Sequence, residues 1–311
     1  MDFTTDVEYF DDGSNLTVGE TYYYTVAVRD DADSENLSEY DTTGVNTTYY
    51  NKPSLNGISN TATGVKITWR AVDGIGNYRI YRKTGNSGWT AINTSTSASY
   101  TDADVVSNAH YWYTVSCLKN NLEVSAFDEE GISIIFYEAP DMIAAEVQDG
   151  AIKISWNPVD GIGDYAIYRR VGAGAFAYLD SVTDKQVTYT DDTVAENTAY
   201  AYVVACELDG NVVSATGSAV GATYMKKPVI SKVIGSAGKV KITWKSVPGA
   251  VKYKVCRKTA VTSLREMGTV TDLSFTDVES TKASTYLYVV YAVAADGTVS
   301  TASNEYMYTV P

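Results

Sequence analysis

At 311 residues, with 45% hydrophobic residues and only six prolines, the chain can bury two or three cores and is too apolar to be a disordered polymer. A formal charge of −14 argues against nucleic acid as a partner. No run approaches the roughly 18 to 20 consecutive apolar residues of a membrane span, so no membrane insertion is expected of this segment. The start, Met1-Asp2-Phe3-Thr4-Thr5-Asp6, has neither a basic nor an apolar leader region.

Twenty-six tyrosines against six phenylalanines, with many Thr and Val, favour pleated strands over helices. The first motifs are Tyr9-Phe10-Asp11-Asp12 and Tyr22-Tyr23-Tyr24-Thr25-Val26. Beyond Pro53 these motifs recur inside a longer unit. Trp69, Trp156 and Trp244 are 87 and 88 residues apart, and Pro53, Pro140 and Pro228 keep the same spacings. Two independent markers at one period define a repeat.

Within each unit the pattern around the Trp alternates: Val65-x-Ile67-x-Trp69, Ile152-x-Ile154-x-Trp156 and Val240-x-Ile242-x-Trp244. A period of two predicts a strand with one buried face, leaving Lys66, Lys153 and Lys241 toward water. Turn residues Asp73-Gly74, Asp160-Gly161 and Pro248-Gly249 precede a second alternating strand, Tyr78-x-Ile80, Tyr165-x-Ile167 and Tyr253-x-Val255. Next come Tyr100-Thr101-Asp102, Tyr189-Thr190-Asp191 and Phe275-Thr276-Asp277, then Tyr-x-Tyr-x-Val runs at Tyr111–Val115, Tyr200–Val204 and Tyr286–Val290. Tight turns at Asn120-Asn121, Asp209-Gly210 and Asp296-Gly297 close each unit with a hairpin.

These motifs resemble the fibronectin type III domain: a buried Trp on an early strand and a Tyr-x-Tyr-x-Val run on a late one. Leu16-Thr17-Val18-Gly19-Glu20-Thr21-Tyr22 is similar to that family's loop into its tyrosine corner. The resemblance implies an all-β fold of tandem immunoglobulin-like sandwiches in an extended array. It also makes Tyr22, Tyr111, Tyr200 and Tyr286 corner tyrosines whose hydroxyls bond nearby backbone. Tyr78-Arg79-Ile80-Tyr81-Arg82-Lys83 and the Asp-Gly-Ile-Gly loops resemble repeats of exported Gram-positive proteins, which implies an extracellular or cell-surface location.

The expected organisation is a C-terminal half-module over 1–52 and complete modules over 53–139, 140–227 and 228–311. Half a sandwich cannot cover its own core, so residues 1–52 are expected to be poorly ordered or paired with a neighbouring chain. The sequence thus reads as a slice of a longer array. Prolines at the joints restrict both themselves and the residue before them, which predicts stiff connections. Cys117, Cys206 and Cys256 fall in different modules, so no module closes a disulfide of its own.

Catalytic chemistry finds little foothold. The single histidine, His110, has Thr21, Ala199 and Thr285 at the matching positions, and reads as a surface residue. No nucleophile elbow, zinc motif or phosphate loop occurs, and no cofactor or metal is expected. Asp11-Asp12, Asp102 with Asp104, and Asp191-Asp192 pair carboxylates as glycosidases do. All sit at one point of the repeat, where an Asp bonding its own loop backbone explains them. The acidic stretch Asp30-Asp31-Ala32-Asp33-Ser34-Glu35 lacks the Gly and closing Glu of an EF-hand loop. No Arg-Gly-Asp occupies a hairpin tip.

One aromatic group departs from the repeat. Tyr81 and Trp112 take outward positions on neighbouring strands and Trp89 follows on the adjoining one, a set able to stack on a carbohydrate or anchor a protein partner. Phe176 matches Trp89, so packing explains that position, whereas Trp112 is matched by Tyr23, Ala201 and Leu287. The expectation is a non-catalytic spacer of a longer extracellular bacterial protein. The alternatives are an adhesion or binding module using this patch, and an accessory region of a secreted polysaccharide hydrolase.

Overall fold

A computed structural model describes residues 4–6, 8–9, 11, 15–30, 33–236 and 238–311. The described residues form strands and turns with no helix. By contacts the chain divides into two compact units, Met1–Phe136 and Tyr137–Pro311.

The first unit opens with β1 (Thr21–Tyr24), β2 (Arg29–Asp30), β3 (Asp33–Leu37) and β4 (Val45–Thr48). Strand β1 pairs antiparallel with β4, and β2 with β3. A complete sandwich follows, built from β5 (Leu55–Thr61), β6 (Gly64–Trp69), β7 (Asn77–Thr84), β8 (Thr90–Ser95), β9 (Ser99–Asp102), β10 (Ala109–Lys119), β11 (Leu122–Glu123) and β12 (Ile132–Phe136). One sheet runs β5-β6-β9. The other runs β8-β7-β10, with β11 and β12 both on the far side of β10.

Alternation does the folding work here. On β6, Val65, Ile67 and Trp69 are buried while Lys66 is exposed, because successive side chains leave opposite faces of a strand. Trp69 meets Tyr78 edge to face at 5.3 Å, and Ile80, Tyr113, Val115 and Cys117 complete the core. The turn from β10 to β11 places Asn120 and Asn121 at φ 51° and 65°, the pair of left-handed residues that a two-residue hairpin requires.

The second unit repeats this plan twice. Its first sandwich comprises β13 (Met142–Gln148), β14 (Ala151–Trp156), β15 (Asp164–Val171), β16 (Ala177–Val182), β17 (Thr188–Asp191), β18 (Thr198–Leu208), β19 (Asn211–Val212) and β20 (Val220–Tyr224). Its second comprises β21 (Ile230–Ser236), β22 (Lys239–Trp244), β23 (Lys252–Lys258), β24 (Arg265–Val270), β25 (Ser274–Asp277), β26 (Thr285–Val293) and β27 (Tyr306–Thr309). The sheets β13-β14-β17 with β16-β15-β18, and β21-β22-β25 with β24-β23-β26-β27, copy the order of the first sandwich. On β14, Lys153 is partly covered rather than exposed, with Glu146 across the ladder from it.

The four corner tyrosines do what the resemblance implies. Thr17 N–H donates to Tyr22 Oη at 2.6 Å, Val106 to Tyr111 at 2.9 Å, Ala195 to Tyr200 at 2.9 Å and Thr281 to Tyr286 at 3.2 Å. A second set of tyrosines ties the loop between the Trp strand and its successor. Val72 N–H donates to Tyr78 Oη, Val159 to Tyr165 and Val247 to Tyr253, at 2.9 to 3.0 Å.

Each proline joint carries a buried side chain three residues upstream: Tyr50 and Tyr137, both 5% exposed, and Met225, 0% exposed. Tyr137 belongs to the core around Trp156, and Met225 to the core around Trp244. The thiol of Cys117 lies 3.6 Å from the Asn51 carbonyl and that of Cys206 lies 3.5 Å from the Glu138 carbonyl. Burial pushes the Cys206 thiol up to about 11, with only part of that offset by Ser214. All three cysteines are buried and unpaired with one another.

Candidate functional site

The outward face of the sheet β8-β7-β10-β12 gathers the aromatic residues singled out above. On β10, Tyr111 and Tyr113 face the core, so Trp112 between them must face outward; it lies across from Lys83 on β7 and from Ser133 on β12. Tyr81 is also on β7, beside a bulge in the pairing with β8 between Ile80 and Tyr81. Bulges re-aim the side chains next to them. Trp89 sits one residue before β8 and leans back over the sheet. Gly131 makes room for it: at φ 66°, a side chain there would come within 2.7 Å of the Trp89 ring and 2.5 Å of the Tyr113 carbonyl.

The result is a continuous row. His110 stacks on Trp112 with ring centroids 3.8 Å apart and planes 25° apart. The Lys83 ammonium lies 6.0 Å from the Trp112 centroid and 4.4 Å from that of Trp89, within the range of a cation–π contact. Trp89 meets Phe127 at 6.1 Å, and Phe127 meets Tyr81 at 4.9 Å. The Tyr81 hydroxyl donates to Glu123, which also accepts from Ser116 at 3.0 Å. Burial, followed by this bond to Glu123, raises the Tyr81 pKa. Tyr81, Trp89 and Trp112 are therefore brought together, each half-buried. Phe127, Lys83 and His110 join them from positions the repeat pattern does not mark.

In the sandwich around Trp156 the same face is built differently. Arg170 lies over Phe176 at 4.9 Å and Tyr168 meets Tyr178 at 5.9 Å, but Ala201 stands where Trp112 does.

The aspartates at the repeated Tyr/Phe-Thr-Asp motif have a structural role. Asp102, Asp191 and Asp277 are 1 to 2% exposed. Each accepts a hydrogen bond from backbone two residues on, at 2.9 to 3.1 Å. Each also accepts from an arginine and a buried tyrosine. Arg82 and Tyr113 reach Asp102 at 2.8 and 2.9 Å, Arg169 and Tyr202 reach Asp191 at 2.8 and 2.7 Å, and Arg257 and Tyr288 reach Asp277 at 2.6 and 2.7 Å. Burial pushes the Asp191 carboxyl up, but the bonds from Thr193, Arg169 and Tyr202 outweigh it and hold it below the ordinary carboxylate value. Burial and then the carboxylate neighbour raise Tyr202 and Tyr288. Tyr24 and Asp11 form the same contact at 2.9 Å in the N-terminal segment. The arginine was the missed member, although its signal was present: Arg82, Arg169 and Arg257 each follow the loop tyrosine by four residues.

Asp12 and the acidic stretch around Asp31-Ala32 lie outside the described residues. Among the described residues no cluster of three or more His, Cys, Asp or Glu side chains could hold a metal ion. No described helix is long and apolar enough to cross a membrane.

A three-stranded sheet packed on a larger one, entered through a tyrosine corner, is the arrangement of one module type. The sandwiches have the fibronectin type III fold. No protein-family model matches the chain. It is 28% identical over 273 residues to Exoglucanase B of Cellulomonas fimi, across 78% of this chain and 24% of that protein. It is 32% identical over 133 residues to an amylopullulanase of Thermoanaerobacter thermohydrosulfuricus, across 42% of this chain and 8% of that protein. The chain therefore spans a minor part of either relative. Among solved structures, the chicken CNTN1 FN1-FN3 domains cover 85% of this chain and 100% of their own, at 17% identity and a TM-score of 0.31. An Fn3-like protein from Clostridium thermocellum covers 27% of this chain and 91% of its own, at 26% identity and a TM-score of 0.25. Strand order and the corner bonds, rather than these superpositions, carry the assignment of the fibronectin type III fold.

Proposed function

We propose that this chain is a non-catalytic accessory segment of an extracellular bacterial protein, holding other parts of a polysaccharide-processing protein at a set spacing. The observation that carries this reading is the threefold Arg–Asp–Tyr network. The buried aspartate at this point of each sandwich accepts three or more hydrogen bonds, from an arginine, a tyrosine and the backbone two residues on. A carboxylate so buried and engaged, with its charge balanced by arginine, is not presented to a substrate. The relatives named as an exoglucanase and an amylopullulanase supply the polysaccharide context. The purified chain is expected to release no reducing ends from soluble cellulose derivatives or pullulan. Release that persists through repurification and disappears with one carboxylate substitution sinks the reading.

A second reading is favoured by the convergence of Tyr81, Trp89 and Trp112: the row binds a carbohydrate chain. Sugar rings stack their C–H faces on such aromatics while Lys83 and Glu123 offer polar partners. A glycan array probed with the chain and with Trp112→Ala decides it. Binding lost in the variant supports the row, and equal signals from both remove it.

A further inference from the structure

The sandwiches share one strand pairing but fill one outward spot differently. Two residues flanking the corner tyrosine point there, joined by the residue across the ladder from the second. In the first sandwich these are His110, Trp112 and Ser133, and in the last Thr285, Leu287 and Met307. In the sandwich around Trp156 they are Ala199, Ala201 and Gly221. The backbone is the same, and the imidazole and indole are replaced by two methyl groups and a hydrogen.

A cavity of about 280 Å³ stands in that place. Arg170, Gly172, Ala199, Ala201, Gly221 and Asp296 line it. Although it faces outward, Ala201 is 9% exposed, so it forms a floor rather than open surface. Arg170 lies opposite Ala201 on the ladder, as Lys83 lies opposite Trp112. Lys83 has two rings near it, Trp89 at 4.4 Å and Trp112 at 6.0 Å, whereas Arg170 has Phe176 at 4.9 Å. The cavity holds the place of the second ring. The Arg170 Nε is buried with no hydrogen-bond partner. Asp296 reaches the rim from the turn after β26, fixed there because Thr223 Oγ1 donates to it at 2.6 Å and Thr223 N–H donates to Thr298 Oγ1 at 3.2 Å.

We propose that this cavity is a binding site for one aromatic side chain of a partner polypeptide, an indole lying against Arg170 with its N–H directed to Asp296. A planar guanidinium stacks on aromatic faces, and Phe176 already takes such a position. The opposite charges of Arg170 and Asp296 favour a neutral ring over a charged group. Size agrees, because sites for drug-sized ligands occupy about 300 to 1,000 Å³ and this one suits a single ring system. A sugar ring would pack its C–H face on an aromatic plane, and the floor here is alanine and glycine. The site stands whether or not the Trp112 row binds carbohydrate.

The probe is N-acetyl-L-tryptophanamide, titrated into the full chain and followed by amide chemical shifts. The amides of Ala199, Ala201 and Gly221 should move together and saturate, with a dissociation constant on the order of 1 mM. Ala201→Trp supplies the ring from within, as Trp112 does at the matching position, and should weaken binding by about tenfold or more. Arg170→Gln, which leaves the floor untouched, should weaken it by about threefold or more, and carries the test if Ala201→Trp does not fold. No saturable shift at these amides, or binding indifferent to both substitutions, overturns the proposal. Methyl β-glucoside moving the same amides while the indole does not would mean a sugar ring fills the cavity, and would overturn the choice of ligand.

Discussion

Strands β10 and β18 occupy the same place in successive sandwiches, and their two faces differ in how far they agree. Facing inward they are nearly one sequence: Tyr111, Tyr113, Val115 and Cys117 against Tyr200, Tyr202, Val204 and Cys206. Both bury these residues almost completely and make the same bonds to an aspartate and to the corner backbone. Facing outward, Trp112 is opposed by Ala201, and only the first carries a stacked histidine and a lysine wedged between two indoles. The inward residues are architecture, because each satisfies a constraint that recurs in every copy. What is particular to one sandwich lies on its outer face.

Breaking the inward side should have the largest effect. Asp191→Ala leaves Arg169 and Tyr202 facing an empty carboxylate position, and removal of one partner from a buried pair costs about 3 to 5 kcal/mol. Hydrogen exchange across β14, β15 and β18 should register that loss, while Asp192→Ala, at the exposed neighbouring carboxylate, should change stability by about 0.5 kcal/mol or less. Equal effects from the two substitutions would erase the distinction between architecture and surface.

Acid should sharpen the same point. The Asp191 carboxyl is held below its ordinary value in the folded chain, so its stabilising contribution is present above the unfolded value of about 3.9 and is lost as the pH falls through the folded pKa. Urea midpoints of the Trp156 sandwich should therefore decline below about pH 4. In Asp191→Asn that decline should be shallower. Parallel acid profiles for the two proteins would remove Asp191 from the account.

On the outer face the expected change is small. Trp112→Ala reproduces the composition seen at Ala201 and forfeits the stack with His110 and the contact with Lys83, together about 1 to 2 kcal/mol. Loss of a cooperative transition would show that the aromatic row is part of the core after all.

The strand plan was open to reading because its signals are local: alternation around Trp69, Trp156 and Trp244, and turn residues at fixed offsets from them. The corner tyrosines followed from resemblance, and their bonds span five residues, short enough for a motif to specify. The buried network was harder. Arg82, Asp102 and Tyr113 are 20 and 11 residues from one another along the chain, and only sheet packing brings them together. Alternation likewise placed Tyr81 and Trp112 outward. It could not supply Phe127, which arrives on the loop between β11 and β12, nor the space that Gly131 opens for Trp89.

The side chain three residues before each joint proline separates two kinds of boundary. Recombination at Pro140 or Pro228 would move a sandwich without the Tyr137 or Met225 that fills its core. Since one plug is an aromatic ring and the other a thioether, modules exchanged at the prolines would receive a key cut for another lock. Joints of this kind make the order of modules in an array a matter of compatibility between neighbours, and a working excision would begin at the plug.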